Sequence, residues 1–282
     1  MSTYPPPGHF LGELGIEFSD DAPDWRESAG TSVSASMHAD GDLSYDGQRV
    51  PAGVLATFVD LVAGRLCAAA ARPDWVATSD LSVSLARPLR TGDLSARGHV
   101  VRAGRNLVTA AVDLAEGGLV AAQAPAAHSV SAFGRLGGDS RGSSKKSGSQ
   151  QRQGSGRPAV TRPAGHLIER LGLTSRKDSV AIDLRDYTRN SLGALQGGVA
   201  AMVFERAALD EAARRGLESA WVCELAVRYL SLGRKGPFVT RCESVVEGNE
   251  RLVLRLALHD EGTVRDAGPR LTSLATVAVR SG

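Results

Sequence analysis

Residues 190–205 read Asn-Ser-Leu-Gly-Ala-Leu-Gln-Gly-Gly-Val-Ala-Ala-Met-Val-Phe-Glu. A polar amide precedes a Gly-Gly pair, the pair opens an apolar helix, and Glu205 lies two turns into that helix. Glycines at a helix start let a ligand approach unpaired backbone N–H groups, which are natural partners for a carbonyl oxygen gaining negative charge. The stretch therefore predicts a site for a polarised carbonyl at the beginning of a buried helix.

A weaker copy of this pattern lies about 145 residues earlier, where residues 50–60 read Val-Pro-Ala-Gly-Val-Leu-Ala-Thr-Phe-Val-Asp. Asp60 takes the place of Glu205. Further upstream, Gly8-His9-Phe10-Leu11 matches Gly165-His166-Leu167-Ile168 at an offset of 157. Because the matched segments keep their order, the pattern indicates a duplication. The change in offset gives the first copy about a dozen extra residues before its helix.

The duplication divides the chain into three parts. We predict a first unit over residues 1–133, a linker over 134–164 and a second unit over 165–282. The linker is rich in Gly, Ser and cations and has almost no apolar residues, so it cannot bury enough surface to order itself. Its charge lacks the interleaved aromatic residues of single-strand nucleic-acid binders. We therefore expect a flexible tether.

The bulk composition narrows the class of protein. The 282 residues are 42% hydrophobic and 23% charged, with a net charge of +2, which favours neither nucleic acid nor a membrane surface as partner. No apolar run approaches the length that spans a bilayer. The three cysteines are too few for a disulfide framework, and no Cys-x-x-Cys or histidine cluster indicates a metal site. No secretion signal is visible at the N-terminus. We expect a cytoplasmic enzyme or binder without metal or cofactor.

Each copy predicts one long helix and a set of antiparallel strands. The predicted helices span residues 54–71 and 199–214. The predicted strands span residues 31–38, 76–85, 95–101, 107–114 and 120–132 in the first copy, and 180–184, 221–230, 239–246, 252–259 and 271–280 in the second. Such helices, apolar nearly all round, must be covered by their own sheet and by the other copy. The fold class is α+β, with a helix laid on a curved sheet in each copy.

At this point the chain resembles hotdog-fold acyl-CoA thioesterases of the phenylacetate-degradation type. The resemblance covers residues 8–133 and 165–281, and is carried by Asn190-x-x-Gly193-x-Leu195-Gln196-Gly197-Gly198, Glu205 and the segment Arg87-Pro88-Leu89-Arg90-Thr91-Gly92. It implies a tandem (double) hotdog, in which each sheet wraps a central helix and the two repeats pair side by side, and it implies acyl-CoA as substrate. The family usually has His where Gln196 stands.

The spacing of the motif predicts a site shared between the repeats. Glu205 lies eight residues past Gly197, or about 12 Å along an α-helix, so one carbonyl cannot touch both. The partner carboxylate must come from the neighbouring helix, which offers Asp60. We predict that Asn190 orients the water or the thioester, the Gly197 N–H holds the oxyanion, and Asp60 acts as general base or nucleophile. The remaining residues predicted to bind substrate or the Asp60 carboxylate are Gln196, Gly198 and Thr78.

The mirror arrangement uses Glu205 as its predicted catalytic carboxylate and pairs it with the loop of the first copy. There Tyr45 stands at the position of Asn190, and Pro51, which has no N–H, precedes Ala52 at the position of Gly197. We expect one working site and one relic or modified pocket.

Several alternatives stay open on the sequence alone. Asn190 suits a turn equally well, the Gly-Gly pair could serve close packing, and either carboxylate could be a paired structural group. The leading function is an acyl-CoA thioesterase, a thioester hydrolase. The first alternative is a non-catalytic acyl-CoA or fatty-acyl binder, which the eroded first loop and Gln196 favour. A hydratase needs a catalytic histidine, and none lies on or just before either central helix. The acyl group, the choice between coenzyme A and an acyl carrier protein, and further pairing into a homo-oligomer are not determined.

Overall fold

Each half of the chain forms one long helix and a set of antiparallel strands. The computed structural model describes residues 5–6, 8–19, 32–118, 124–137, 165–265 and 268–282. The helices are α1 (Phe10–Glu13), α2 (Ala52–Ala70), α3 (Leu167–Leu171) and α4 (Gly197–Arg214). The strands of the first half are β1 (Glu17–Phe18), β2 (Ser32–Ala39), β3 (Trp75–Leu85), β4 (Gly92–Ala103), β5 (Leu107–Glu116) and β6 (Ala127–Leu136). Those of the second half are β7 (Thr174–Ser175), β8 (Val180–Ile182), β9 (Trp221–Tyr229), β10 (Phe238–Glu247), β11 (Arg251–Arg265) and β12 (Gly268–Arg280).

The strands of the described residues form one antiparallel sheet whose two halves mirror each other. The strand order is β1-β2-β4-β5-β6-β3-β9-β12-β11-β10-β8-β7. β3 and β9 join the halves, with Leu81 opposite Val227 and Val83 opposite Leu225. Since each half runs through its strands in the same order from this seam, the two repeats are related by an approximate two-fold axis. The predicted tandem α+β architecture is confirmed.

The helices lie on the sheet and against each other. Most of α2 is buried, and it packs against its own strands and α4, because its apolar residues cover nearly the whole helix surface. By length and composition α2 could cross a bilayer, so the expectation that no apolar run approaches that length was wrong. In the fold, α2 is a buried core helix.

The strand boundaries correct the predicted linker. The last strand of the first repeat was predicted over residues 120–132, but β6 begins at Ala127 and continues to Leu136, where it pairs with Trp75 of β3. Three residues of the predicted linker therefore belong to the sheet. The other linker residues, 138–164, lie outside the described residues, as do residues 119–123 and 20–31, which include the predicted starts of two strands.

A buried ion pair ties the short helices of the two repeats together. Glu13 of α1 and Arg170 of α3 occupy equivalent positions, 157 residues apart, and their side chains meet at 2.7 Å while only 3% and 7% exposed. The Tyr187 hydroxyl donates to the same Glu13 oxygen at 2.9 Å. The ion pair links the two repeats. Two glutamates or two arginines at these equivalent positions would carry like charges and repel each other.

Tyr187→Phe is expected to lower the free energy of unfolding by about 2 kcal/mol, the usual contribution of a hydrogen bond to a charged group. Urea denaturation measures the loss. In a Glu13→Gln background the same change should cost less, since the acceptor is then neutral; an equal loss in both backgrounds would contradict this account.

Candidate functional site

Glu205 of α4 binds the start of the other long helix. Its carboxylate is buried, and its two oxygens accept from the backbone N–H groups of Ala52 and Gly53, each at 2.8 Å. Pro51, the residue before α2, provides no side-chain cap. The Glu205 carboxylate therefore caps α2 from the opposite repeat, where the positive end of the helix favours an anion.

Burial raises the pKa of Glu205 to about 7, although the N–H groups of Gly53 and Ala52 favour the charged form. Among the described residues the buried Tyr45 hydroxyl has no hydrogen-bond partner of ordinary geometry, and its proximity to Glu205 lowers the pKa of that carboxyl. Tyr45, the counterpart of Asn190 in the first copy, thus lies beside the carboxylate. The donors that a substrate carbonyl would need at this end are already bonded to the protein's own glutamate.

Asp60, at the equivalent position of α2, has a different environment. Its carboxylate accepts from the Thr78 hydroxyl at 2.7 Å, and the residue is partly exposed. Burial raises the pKa of Asp60 to about 6, while the Thr78 hydrogen bond lowers it. The structure thus places Thr78 beside Asp60, but it gives Asp60 no hydrogen bond to α4.

The first two N–H groups of α4 belong to Gly197 and Gly198. Among the described residues, neither Gly197 nor Gly198 donates its N–H to a protein acceptor. By the two-fold relation of the repeats, these groups correspond to those of Ala52 and Gly53, and Asp60 corresponds to Glu205. Because aspartate is one methylene shorter than glutamate, its carboxylate does not close the same bonds.

Gln196 caps the third donor of the same helix. Its side-chain oxygen accepts from the Val199 N–H at 3.1 Å, and the residue is buried. This role differs from the predicted one, substrate binding, because the amide oxygen is used within the protein. Together with Asp60's short side chain, the cap leaves two adjacent donors unoccupied at the start of α4.

Asn190 closes the loop before α4. Its Oδ1 accepts from the N–H groups of Leu192 at 3.0 Å and Ala194 at 2.9 Å, as in an Asx turn. Both bonds are local, so the geometry favours the alternative of a turn residue over the predicted role in orienting water.

The two helices cross closely at glycines. A Cβ on Gly198 would lie 2.0 Å from the Thr57 Oγ1, and one on Gly53 would lie 2.6 Å from the Met202 Cγ. Thr57 and Met202 are equivalent positions, so each helix places its glycine under the same residue of the other. Close packing therefore accounts for the absence of a side chain at Gly198, which was predicted to bind substrate. This packing role does not involve the N–H group of Gly198.

Gly198→Ala is expected to lower the free energy of unfolding by about 1–3 kcal/mol, since the added methyl overpacks the crossing. Gly64→Ala, in α2, is the matched control: its Cβ would meet Phe133 at an ordinary 3.5 Å. That change should stabilise the protein by about 0.5–1 kcal/mol. Denaturation curves of both variants give the comparison, and equal shifts would refute the packing role.

Tyr229 of β9 is a site residue that the sequence interpretation missed. Its hydroxyl donates to the Gly197 carbonyl at 2.8 Å. Burial and the neighbouring Asp60 charge raise the pKa of Tyr229 well above its usual range, so it stays protonated. The strand alternation of Leu225, Val227 and Tyr229 toward one face was a signal that could have found it.

The hydroxyl groups distinguish the two ends of the helix pair. Thr78 and Tyr229 lie at the Asp60 end, and the equivalent positions at the Glu205 end are Val222 and Leu85. Within the described ranges, no group of three or more His, Cys, Asp or Glu side chains could hold a metal ion. These residues offer a carboxylate, two hydroxyl groups and the backbone donors at the start of α4.

Comparison with solved structures identifies the architecture. A conserved protein with the hotdog fold from Alicyclobacillus acidocaldarius superposes with a TM-score of 0.50 at 11% identity, covering 97% of this chain and 98% of that one. The chain is a double-hotdog protein. An acyl-ACP thioesterase from Bacteroides thetaiotaomicron VPI-5482 is also similar, with a TM-score of 0.59 at 11% identity. The match covers 88% of this chain and 98% of that one. The tesB protein of Mycobacterium avium subsp. paratuberculosis superposes with a TM-score of 0.58 at 12% identity, covering 96% of this chain and 97% of that one.

Sequence comparison agrees with the fold of the double-hotdog protein. A model of the thioesterase superfamily matches residues 50–120, which include α2 and strands β3 to β5. Among curated proteins no sequence matches the chain. The predicted resemblance to hotdog-fold thioesterases is confirmed, and the matching superfamily model together with the fold supports thioester hydrolysis in general.

Proposed function

We propose that the double-hotdog protein hydrolyses acyl-CoA thioesters to free acid and coenzyme A, at a site between its repeats formed by Asp60 and the start of α4. One observation carries the proposal. The N–H groups of Gly197 and Gly198 have no acceptor among the residues that the structure describes, whereas the equivalent donors are bonded to Glu205. Within the described ranges, the Asp60 end is therefore where the helix donors are not used by the protein's own carboxylate.

The geometry supports attack of water on the thioester carbonyl. Asp60 takes a proton from water as the oxygen forms a bond to the carbonyl carbon. The Gly197 and Gly198 N–H groups, at the positive end of α4, stabilise the oxyanion. Its collapse breaks the carbon–sulfur bond, and the thiolate leaves with the proton that Asp60 accepted. The products are a carboxylic acid and a thiol.

Asp60 suits this role because its pKa of about 6 lies near neutrality. A base with such a pKa is mostly ionised at pH 7 and still accepts a proton more readily than an ordinary aspartate. Direct attack by the Asp60 carboxylate would instead give a mixed anhydride. In solvent labelled with ¹⁸O, a single turnover through the anhydride leaves label in Asp60 when water attacks the Asp60 carbonyl, whereas the general-base route never labels Asp60.

The test is hydrolysis of a panel of acyl-CoA and acyl-carrier-protein thioesters of several chain lengths, followed by the appearance of free thiol. Calorimetric titration of the same ligands runs in parallel. We expect turnover of acyl-CoA. Binding without turnover would favour the acyl-CoA binding protein, turnover of carrier-protein thioesters alone would correct the carrier, and neither binding nor turnover would contradict the proposal.

A further inference from the structure

The bond between Tyr229 and α4 acts on the peptide unit that contains the second helix donor. The Tyr229 hydroxyl donates to the carbonyl of Gly197 at 2.8 Å. That carbonyl and the N–H of Gly198 belong to one planar unit and point in opposite directions. Fixing the carbonyl therefore fixes the direction of the Gly198 N–H.

We propose that Tyr229 is a positioning residue, which orients and polarises the Gly197–Gly198 peptide so that the Gly198 N–H binds the oxygen of the reacting carbonyl. The inference rests on the proposed hydrolysis at the Asp60 end. Tyr229 itself touches the helix backbone and need not touch the substrate.

Polarisation follows from the chemistry of the amide. A hydrogen bond to the carbonyl oxygen draws electron density from the nitrogen, and the N–H becomes a stronger donor. A tyrosine hydroxyl has a single proton, and here it is directed to Gly197. This strengthening of the N–H donor is larger in a partly buried site than in water, because the lower dielectric there screens the electrostatic interaction less.

The two ends of the helix pair differ in the way this role requires. At the Glu205 end, Leu85 stands in the place of Tyr229 and offers no hydroxyl. The equivalent N–H there, that of Gly53, is bonded to Glu205 at 2.8 Å. Among the described residues, a tyrosine thus bonds this peptide at the Asp60 end, where the Gly198 N–H has no protein acceptor, and not at the Glu205 end.

The ring of Tyr229 also explains why residue 197 lacks a side chain. A Cβ on Gly197 would lie 3.2 Å from both the Cζ and the Oη of Tyr229, closer than an ordinary contact. The hydroxyl reaches the backbone because nothing stands between the ring and the helix. The hydrogen bond from Tyr229 therefore depends on a glycine at position 197.

Tyr229→Phe tests the role, since it keeps the ring and removes the hydroxyl. We expect kcat to fall about tenfold with KM little changed, less than the 10²–10³ that follows loss of an oxyanion donor itself. The amide proton of Gly198 should move upfield in the NMR spectrum of the full chain. Tyr187→Phe is the matched control: it removes a partly buried hydroxyl bonded to Glu13 and should change neither kcat nor the Gly198 signal.

The two readouts separate this inference from the proposed function. An unchanged Gly198 signal in Tyr229→Phe would overturn the positioning role, whatever the kinetics. A shifted signal with an unchanged kcat would also overturn it, because the peptide would then not serve the reaction. If the unmodified protein hydrolyses no thioester, the proposed function fails, and the Gly198 signal still decides whether Tyr229 polarises the peptide.

Discussion

Replacing Asp60 with asparagine is expected to lower kcat/KM for thioester hydrolysis by about 10²–10⁴-fold, the usual contribution of a general base. Asparagine keeps the size of the side chain and can still accept from Thr78, so the fold should survive. It cannot accept a proton from water, and the loss should therefore fall on kcat.

The pH dependence sharpens this prediction. The carboxylate of Asp60 must be ionised to act as base, and its pKa is raised to about 6. The rate of the unmodified protein should rise as the pH increases through about 6 and then level off, while the residual rate of Asp60→Asn should lack that step. Steady-state thiol release between about pH 4.5 and pH 8, on both sides of this pKa, records both profiles.

Glu205→Gln is the matched control for catalysis. Glutamine keeps the length of the side chain, and the Asp60 end of the helix pair is unchanged. We expect turnover within about twofold of the unmodified protein, since the substitution removes no group from the reacting site. A large loss in Glu205→Gln, with little change in Asp60→Asn, would move the reaction to the opposite end.

Glu205→Ala is expected to lower the free energy of unfolding by about 3–5 kcal/mol. The change leaves two buried N–H groups, those of Ala52 and Gly53, without an acceptor, at about 1–3 kcal/mol each, and it opens a cavity. Guanidinium unfolding of the full chain measures the loss. Asp60→Ala should cost much less, because Asp60 is partly exposed and bonded only to Thr78 among the described residues. Equal costs would contradict the capping role.

Glu205 should also make stability depend on pH. Its pKa in the folded protein is about 7, raised above the ordinary 4.5, so the folded state holds its proton over a range in which the unfolded state has lost it. Stability from this group therefore falls as the pH rises from about 4.5 to about 7. The fall should be absent in Glu205→Gln, and an unchanged slope would show that another group titrates.

The sequence predicts the helix pair, and it also predicts that the carboxylate of each helix meets the other helix. An α-helix is rigid, so the separation of Gly197 and Glu205 along one helix requires each carboxylate to meet the other helix. The structure places Glu205 on the N–H groups of Ala52 and Gly53, and Thr78 on Asp60. Repeats and helical geometry are local or periodic, and the sequence records them directly.

The remaining parts of the site depend on contacts between distant segments. Tyr229 lies 32 residues from Gly197 in the chain, and its bond depends on the register of β9. The close approach of Gly198 to Thr57 depends on the angle at which two helices cross. Asn190 could not be assigned because asparagine suits a turn and a substrate amide equally well. Sequence therefore indicates which residues are candidates, and the packing separates their roles.

The most direct measurement is a structure of the protein with an acyl-CoA analogue in which a methylene replaces the thioester sulfur, so that the carbonyl remains and hydrolysis is blocked. The account predicts that the carbonyl oxygen accepts from the N–H of Gly197 or Gly198, with Asp60 facing the carbonyl carbon. A carbonyl bound at Ala52 and Gly53, with the Glu205 carboxylate displaced, would contradict it.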